Sequence, residues 1–283
     1  MGIRSGLELQ ADRIEQVLTM HKVPARVTGG TVTPRWIRFQ VLPAMGGDVS
    51  KIKGLSEELT AALDVSNCQV LRRGAAVTIE VPRDDPQPVR LPPLYRQLTG
   101  DGNDIPPMTA ILGLAEDGAP LLIRLPSPDV GNVLVVGNEG AGKTSLLRSI
   151  LLSLEWANLG ANLRNVHIVD DLETCDYARQ DGVVRLAQQP NEHVIVATGD
   201  AGLAQRIGDR FPVRLVGRVT SAEDARAATG WRGTGAERLM GQGDFIAVAE
   251  GRVVHFQAAF IGPNELATVP ALTVNAVGGG FLR

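Results

Sequence analysis

Residues 137–145 read GNEGAGKTS and follow directly on the apolar run NVLVV, residues 132–136. The first eight satisfy G-x-x-x-x-G-K-[ST], a pattern whose parts have separate physical jobs. Glycines let the backbone turn tightly, so that successive N–H groups converge on phosphate oxygens. A lysine follows to reach the β- and γ-phosphates, and a hydroxyl follows the lysine to ligate Mg²⁺. The flanks fit as well. A buried strand enters the loop, and SLLRSILLSLEWA leaves it as a helix whose N-terminus adds partial positive charge. The bland alternative is an incidental Gly-rich turn, which would not need both flanks. The sequence therefore predicts that Gly137, Asn138, Glu139, Gly140, Ala141, Gly142, Lys143, Thr144 and Ser145 hold ATP, with Thr144 on Mg²⁺.

Outward from the loop, ILGLAED, PLLIRLP, NVHIVDD, HVIVATGD, FPVRLVGRV, DFIAVAEG and RVVHFQAAFI are strand-like, separated by helical segments. Several are continuous apolar runs, as central strands covered on both faces require. The ligand of such a sheet belongs at the C-terminal strand ends. NVHIVDDLE sets Asp170 and Asp171 at one of those ends. Read as an acidic motif, Asp170 serves Mg²⁺ through water and Asp171 stands where a carboxylate activates the attacking water. A structural carboxylate pair at a strand edge is the alternative.

Toward the N-terminus the pattern differs. Residues 7–22 space Leu9, Ile14, Val17 and Leu18 along one helix face. TPRWIRFQVL reads as a strand, SKIKGLSEELTAAL as a helix with a Ser cap, and NCQVLRR and AAVTIEV as two strands. Helix–strand–helix–strand–strand is a small α+β module. Residues 82–108 hold seven of the chain's 17 prolines. Proline fixes φ and lacks the N–H donor, so this stretch reads as a linker without a helix or sheet interior. The expected division is residues 1–82 as the α+β module, 83–107 as linker and 108–283 as the ATPase domain.

Composition narrows the class. With 44% hydrophobic and 21% charged residues and no long apolar run, the 283-residue chain reads as globular, without membrane insertion, and its start lacks a signal-peptide core, so a cytoplasmic location is expected. Cys68 and Cys175 are too few for a disulfide framework or a metal cluster, and the four scattered histidines read as structural. A net charge of −3 argues against a strongly basic nucleic-acid binder but permits local basic faces that assembly would concentrate. Lysines number four against 24 arginines, and Lys143 is one of the four.

Beyond these patterns the chain resembles the FtsK/SpoIIIE family of DNA translocases. GGTVTPRWIRFQVLPAMGGDVSKIKGLSEELTAAL and AAVTIEVPR are similar to the α/β domain that precedes that family's motor. FPVRLVGRVTSAEDARAATGWRGTGAERLMGQGDFIAV carries its most specific segment, with Arg214, Arg218, Asp224, Arg226, Gly235, Ala236, Glu237, Leu239, Gly241, Gly243 and Asp244 matching. Two departures stand out. Gly199-Asp200 replace the family's Gln-Arg after its ATQRP-type strand, and the short interval between Gly137 and Ala197 lacks room for one strand–helix unit. DDLETCDYARQDGV is also similar to the strand that follows the family's loop helix, in which case the true acidic strand is the one deleted. No winged-helix domain is expected after the motor.

What the resemblance implies is an α/β fold, a RecA-like P-loop NTPase core with a small N-terminal α+β domain. It implies a homo-oligomer, commonly a hexameric ring, that pumps double-stranded DNA, with Arg214 or Arg218 reaching a neighbour's nucleotide; each also reads as a salt-bridged structural arginine. Two other functions stay open: a shortened nucleotide-binding assembly module with little hydrolysis, and a type VII secretion-like ATPase.

Overall fold

The structure, a computed structural model, describes residues 2–44, 49–65, 67–73, 76–102, 104–157, 163–262 and 265. It divides the chain into two units, Met1–Pro88 and Val89–Arg283. The stretch from 266 onward, assigned above to the ATPase domain, and Ala75 of AAVTIEV lie outside the described residues.

The first unit contains α1 (Gly2–Met20), β1 (Ala25–Val32), β2 (Trp36–Pro43), α2 (Val49–Lys53), α3 (Ser56–Leu63), β3 (Gln69–Arg73) and β4 (Ala76–Pro82). Its sheet is antiparallel with order β1-β2-β4-β3. Phe39 and Val41 on β2, with Val77, Ile79 and Val81 on β4, meet Ile14, Leu18, Ile52, Leu59 and Leu63 from the helices in one core. Strand β1 has no counterpart in the sequence reading. It is an edge strand with only Ala25 buried, so it carries no apolar alternation, and a register shift falls between Val27 and Gly29. The single helix expected over SKIKGLSEELTAAL is two, broken at Gly54–Leu55, and no serine side chain caps α3. Leu9, placed on the buried stripe, is 53% exposed, whereas Ile14, Val17 and Leu18 are buried.

The second unit begins inside the proline-rich stretch. β5 (Val89–Arg90) pairs with a strand described below, and α4 (Leu91–Leu98) is an eight-residue helix. Its two prolines, Pro92 and Pro93, sit in the first turn, where a missing N–H costs nothing because the helix leaves those donors unpaired anyway. Leu91 and Leu94 pack with Ile111, Leu152 and Ile261. A helix thus occupies part of what composition marks as linker.

There follow β6 (Thr109–Ala115), β7 (Pro120–Arg124), β8 (Val133–Val136), α5 (Lys143–Ala157), β9 (Val166–Val169), α6 (Tyr177–Leu186), β10 (His193–Thr198), α7 (Ala201–Ile207), β11 (Val213–Val216), α8 (Ala222–Thr229), β12 (Asp244–Ala249) and β13 (Arg252–Phe260). Every strand expected after residue 108 is present. The sheet runs β7-β6-β13-β12-β11-β8-β10-β9, parallel among β11, β8, β10 and β9 and antiparallel elsewhere along this path, with β5 pairing in parallel with β13 beside it. β8 lies between β11 and β10, and its side chains alternate between two cores. Val133 and Val135 face Leu146, Leu147, Ile150 and Leu154 of α5. Leu134 and Val136 face Val183, Leu203, Ala204, Ala225 and Ala228 of α6, α7 and α8. All four β8 residues are buried, which is why the strand reads as a continuous apolar run. Two buried serines pin α5: Ser149 Oγ donates to Ala259 O at 2.8 Å, and Ser153 Oγ accepts from Ile111 N at 2.9 Å. The loop between β8 and α5 is therefore held at both ends.

Candidate nucleotide site

Residues 137–142 bridge the end of β8 to the first residue of α5, and their backbone conformation depends on glycine. Gly140 has φ +77° and Gly142 φ +101°, a region that other residues rarely enter. A Cβ on Gly142 would lie 2.9 Å from the backbone nitrogen of Gly243, and one on Gly137 2.9 Å from Ala141 Cβ. Gly137 N donates to Thr198 O at the end of β10, and Asn138 N donates to Arg218 O just past β11. The loop is thus fixed to the ends of both strands that flank β8.

A second loop grips it from behind. Gln242 N donates to Gly140 O at 2.9 Å and Gly243 N to Ala141 O at 2.8 Å. Because a peptide is planar, holding the Ala141 carbonyl turns the Gly142 N–H the opposite way. Among the described residues no protein acceptor takes the N–H groups of Glu139, Gly140, Gly142, Lys143, Thr144 or Ser145. Such a run of free donors at a helix N-terminus is an anion cradle. The gripping loop has its own support. Gly241, Gln242 and Gly243 all have positive φ, Asp244 Oδ2 accepts from Met240 N at 2.9 Å, and Asp244 Oδ1 pairs with His255 Nε2 at 2.6 Å. His255 Nδ1 in turn meets Glu116 Oε1 at 2.8 Å. This gives GAERLMGQGD a physical role that its residue types alone do not disclose.

Around the cradle stand the charged groups. Lys143 Nζ donates to Gly137 O at 2.8 Å, so its ammonium lies folded over the loop. Thr144 Oγ1 donates to Asp170 Oδ2 at 2.6 Å. β9 therefore lies beside β10 and delivers Asp170 to the hydroxyl that starts α5. A hydroxyl and a carboxylate so close are an oxygen donor set suited to a hard cation, Mg²⁺. Among the described residues no group of three or more His, Cys, Asp and Glu forms a metal cluster. Asp171 is exposed, with φ +49°, and its N–H turns back to Asp170 Oδ1 at 3.0 Å. Partial loss of hydration where it meets the turn comes first, then the charges of Asp170 and Glu173; together they push its carboxyl above the usual range, against the pull of Lys143.

Glu173 is a residue the sequence reading missed. It lies on a 3-10 turn, Leu172–Thr174, and its Oε1 accepts from Gly199 N at 2.7 Å. That contact accounts for one departure from the family pattern: a Cβ on residue 199 would lie 2.8 Å from Glu173 Oε1. Asp200 caps α7 by accepting from Gly202 N and Leu203 N.

The two candidate arginines part company. Arg218 is exposed beside Asn138, at the rim of the cradle. Arg214 is half-buried. Its guanidinium fills the space that side chains on Gly208 and Gly230 would need, reaches Ala228 O at 3.4 Å, and faces Asp209 at 4.0 Å. Burial lowers its pKa, with Asp209 opposing. The geometry favours a structural clamp on α7 and α8 for Arg214.

A phosphate-type loop between the central parallel strand and its helix, with neighbouring strands delivering an acid and a rim arginine, defines a RecA-like α/β unit of the P-loop class. The fold agrees with that of the pCW3 conjugation coupling protein TcpA in its monomer form with ATPgS, at TM-score 0.52 and 13% identity over 90% of this chain and 96% of that one. The profile of the FtsK alpha domain matches residues 4–83. The DNA translocase FtsK of Mycobacterium tuberculosis is 33% identical over 223 residues, 76% of this chain and 26% of that protein. That of Bacillus anthracis is 32% identical over 149 residues, 51% of this chain and 18% of that protein. Residues 4–83 thus match an FtsK alpha domain, and the chain is similar to FtsK DNA translocases over about three quarters of its length. It spans about a quarter or less of the length of these relatives.

Proposed function

We propose that the second unit binds ATP with Mg²⁺ at residues 137–145 and hydrolyses it to move double-stranded DNA, acting as a ring of several copies. The observation that carries the nucleotide reading is the 2.6 Å hydrogen bond from Thr144 to Asp170, at the mouth of a loop in which the N–H groups of Glu139, Gly140, Gly142, Lys143, Thr144 and Ser145 have no acceptor among the described residues. Lys143 is placed to exchange the Gly137 carbonyl for phosphate oxygens, a stronger, charge-assisted partner. Thr144 and Asp170 would hold Mg²⁺, the hydroxyl directly and the carboxylate through water; the ion would neutralise phosphate charge. Arg218, at the rim, is the candidate for contact with transferred phosphoryl charge. The translocase reading rests on kinship with FtsK proteins, and the net charge of −3 makes assembly a condition for gathering arginines around DNA.

A second reading, a nucleotide-dependent assembly module with little turnover, is favoured by one observation. Asp171, the carboxylate in the expected place, is exposed on a left-handed backbone and one methylene shorter than glutamate. ATP hydrolysis with and without duplex DNA, at several protein concentrations, separates the two. DNA-stimulated turnover that rises with assembly supports the motor; nucleotide-driven oligomerisation without turnover supports the module.

A further inference from the structure

Within that nucleotide reading, on which this inference rests, we propose that Glu173, and not Asp171, is the carboxylate that orients the attacking water. Its reach is set by backbone, not chance packing. The 3-10 turn carries it back from the end of β9 across the end of β10, where Gly199 N fixes Oε1 at 2.7 Å. The same point of the strand end faces the cradle: the position of a Cβ on Gly199 is 2.8 Å from Glu173 Oε1, 3.7 Å from Lys143 Nζ and 3.7 Å from Gly137 O. Carboxylate and ammonium therefore stand within a side chain's width of each other, without an ion pair between them.

The second oxygen is the telling one. Glu173 Oε2 is buried and has no hydrogen-bond partner among the described residues. An unpartnered buried carboxylate oxygen is costly, so its persistence points to a donor that arrives with the ligand. A water held between Oε2 and the last phosphate supplies that donor: its O–H points to the carboxylate while its oxygen lone pair faces phosphorus. On attack the oxygen–phosphorus bond forms, the bond to the bridging oxygen of ADP breaks, and the water proton passes to the carboxylate or to a phosphate oxygen. Asp171 has a left-handed backbone and an N–H committed to Asp170, and it lacks the extra methylene.

Glu173→Gln is the test, since glutamine retains an Oε1 to accept from Gly199. Three quantities are read for the parent, Glu173→Gln, Gly199→Ala and Asp171→Asn: affinity for ATPγS with Mg²⁺, turnover, and the gain in affinity when aluminium fluoride is added to ADP. Positioned proton acceptors contribute roughly 10²–10⁴-fold. Glu173→Gln should keep its melting temperature and its ATPγS affinity, lose about 100-fold or more in turnover, and lose most of the aluminium fluoride gain. Gly199→Ala, which displaces the carboxylate without changing charge, should do likewise. Asp171→Asn should lose far less of both. A larger loss in Asp171→Asn than in Glu173→Gln would overturn the assignment. So would equal weakening of ATPγS and aluminium fluoride binding in Glu173→Gln, which marks a structural role, or a parent that binds ATPγS but never hydrolyses ATP. A parent that fails to bind ATPγS at all would instead bring down the nucleotide reading beneath it.

Discussion

The most informative single contact in the protein is Thr144 on Asp170. A lone threonine after a lysine is legible in the sequence, and so is an acid at the end of an apolar run. That the two meet depends on β9 lying beside β10, which spacing does not reveal. Partners that orient a metal site typically contribute 10–100-fold in metal affinity, so Asp170→Asn should raise the Mg²⁺ concentration needed for half-maximal ATP binding by about that factor. Metal-free nucleotide binding should change little, as a titration at fixed ATP would show. A second single-residue prediction concerns Cys68, buried against the first unit's core. Burial first, and the Glu80 carboxylate second, push its thiol from 9.0 up to about 12. Folding thus favours the neutral thiol. From about pH 9 upward the unfolded chain ionises first, and stability should fall by about 1.4 kcal/mol per pH unit from this group until about pH 12. Urea midpoints for the parent and Cys68→Ala across pH 8–10 check it: the alanine variant should show the shallower decline.

At the scale of elements, the loop 240–244 acts on the phosphate loop through backbone hydrogen bonds, and glycines decide whether they form. Gly140 and Gly142 both have positive φ, but only Gly142 is pressed against the Gly243 backbone. Gly140→Ala should cost about 1–2 kcal/mol, the strain of a left-handed residue, and leave nucleotide binding measurable. Gly142→Ala adds a clash that backbone cannot easily relieve, so it should be the more destabilising of the two and abolish binding. In the first unit, Arg38 and Glu80 stand opposite each other on β2 and β4 and form a buried 2.6 Å ion pair. Glu80→Ala removes the acid of this buried pair and should cost roughly 3–5 kcal/mol, read from urea unfolding.

These elements also show how far sequence goes. β8, β10 and β12 announce themselves because covered strands must be apolar on both faces. β1 does not, because an edge strand with one buried residue has no such obligation. α4 is hidden by prolines that composition reads as linker but that a first turn tolerates. Within the site, the loop residues follow from local pattern, whereas Glu173 and the 240–244 grip depend on contacts between distant segments.

For the whole molecule, a negatively charged chain of 24 arginines and four lysines should bind duplex DNA only as an assembly, without sequence preference and with affinity that drops steeply between 50 and 200 mM salt, as phosphate contacts do. Monomeric, salt-insensitive binding measured by ultracentrifugation and anisotropy would speak against a ring. All of this stands on the cradle at residues 137–145, and its most direct test is titration of a fluorescent ATP analogue, with Mg²⁺, into the parent and Lys143→Ala. A hydrogen bond to a charged group is worth about 1.5–3 kcal/mol, or roughly 10–100-fold in affinity. The parent should saturate at one nucleotide per chain, and Lys143→Ala, folded and with the parent's melting temperature, should bind at least that much more weakly. Equal affinity in the two proteins, or no saturable binding by the parent, would contradict the account.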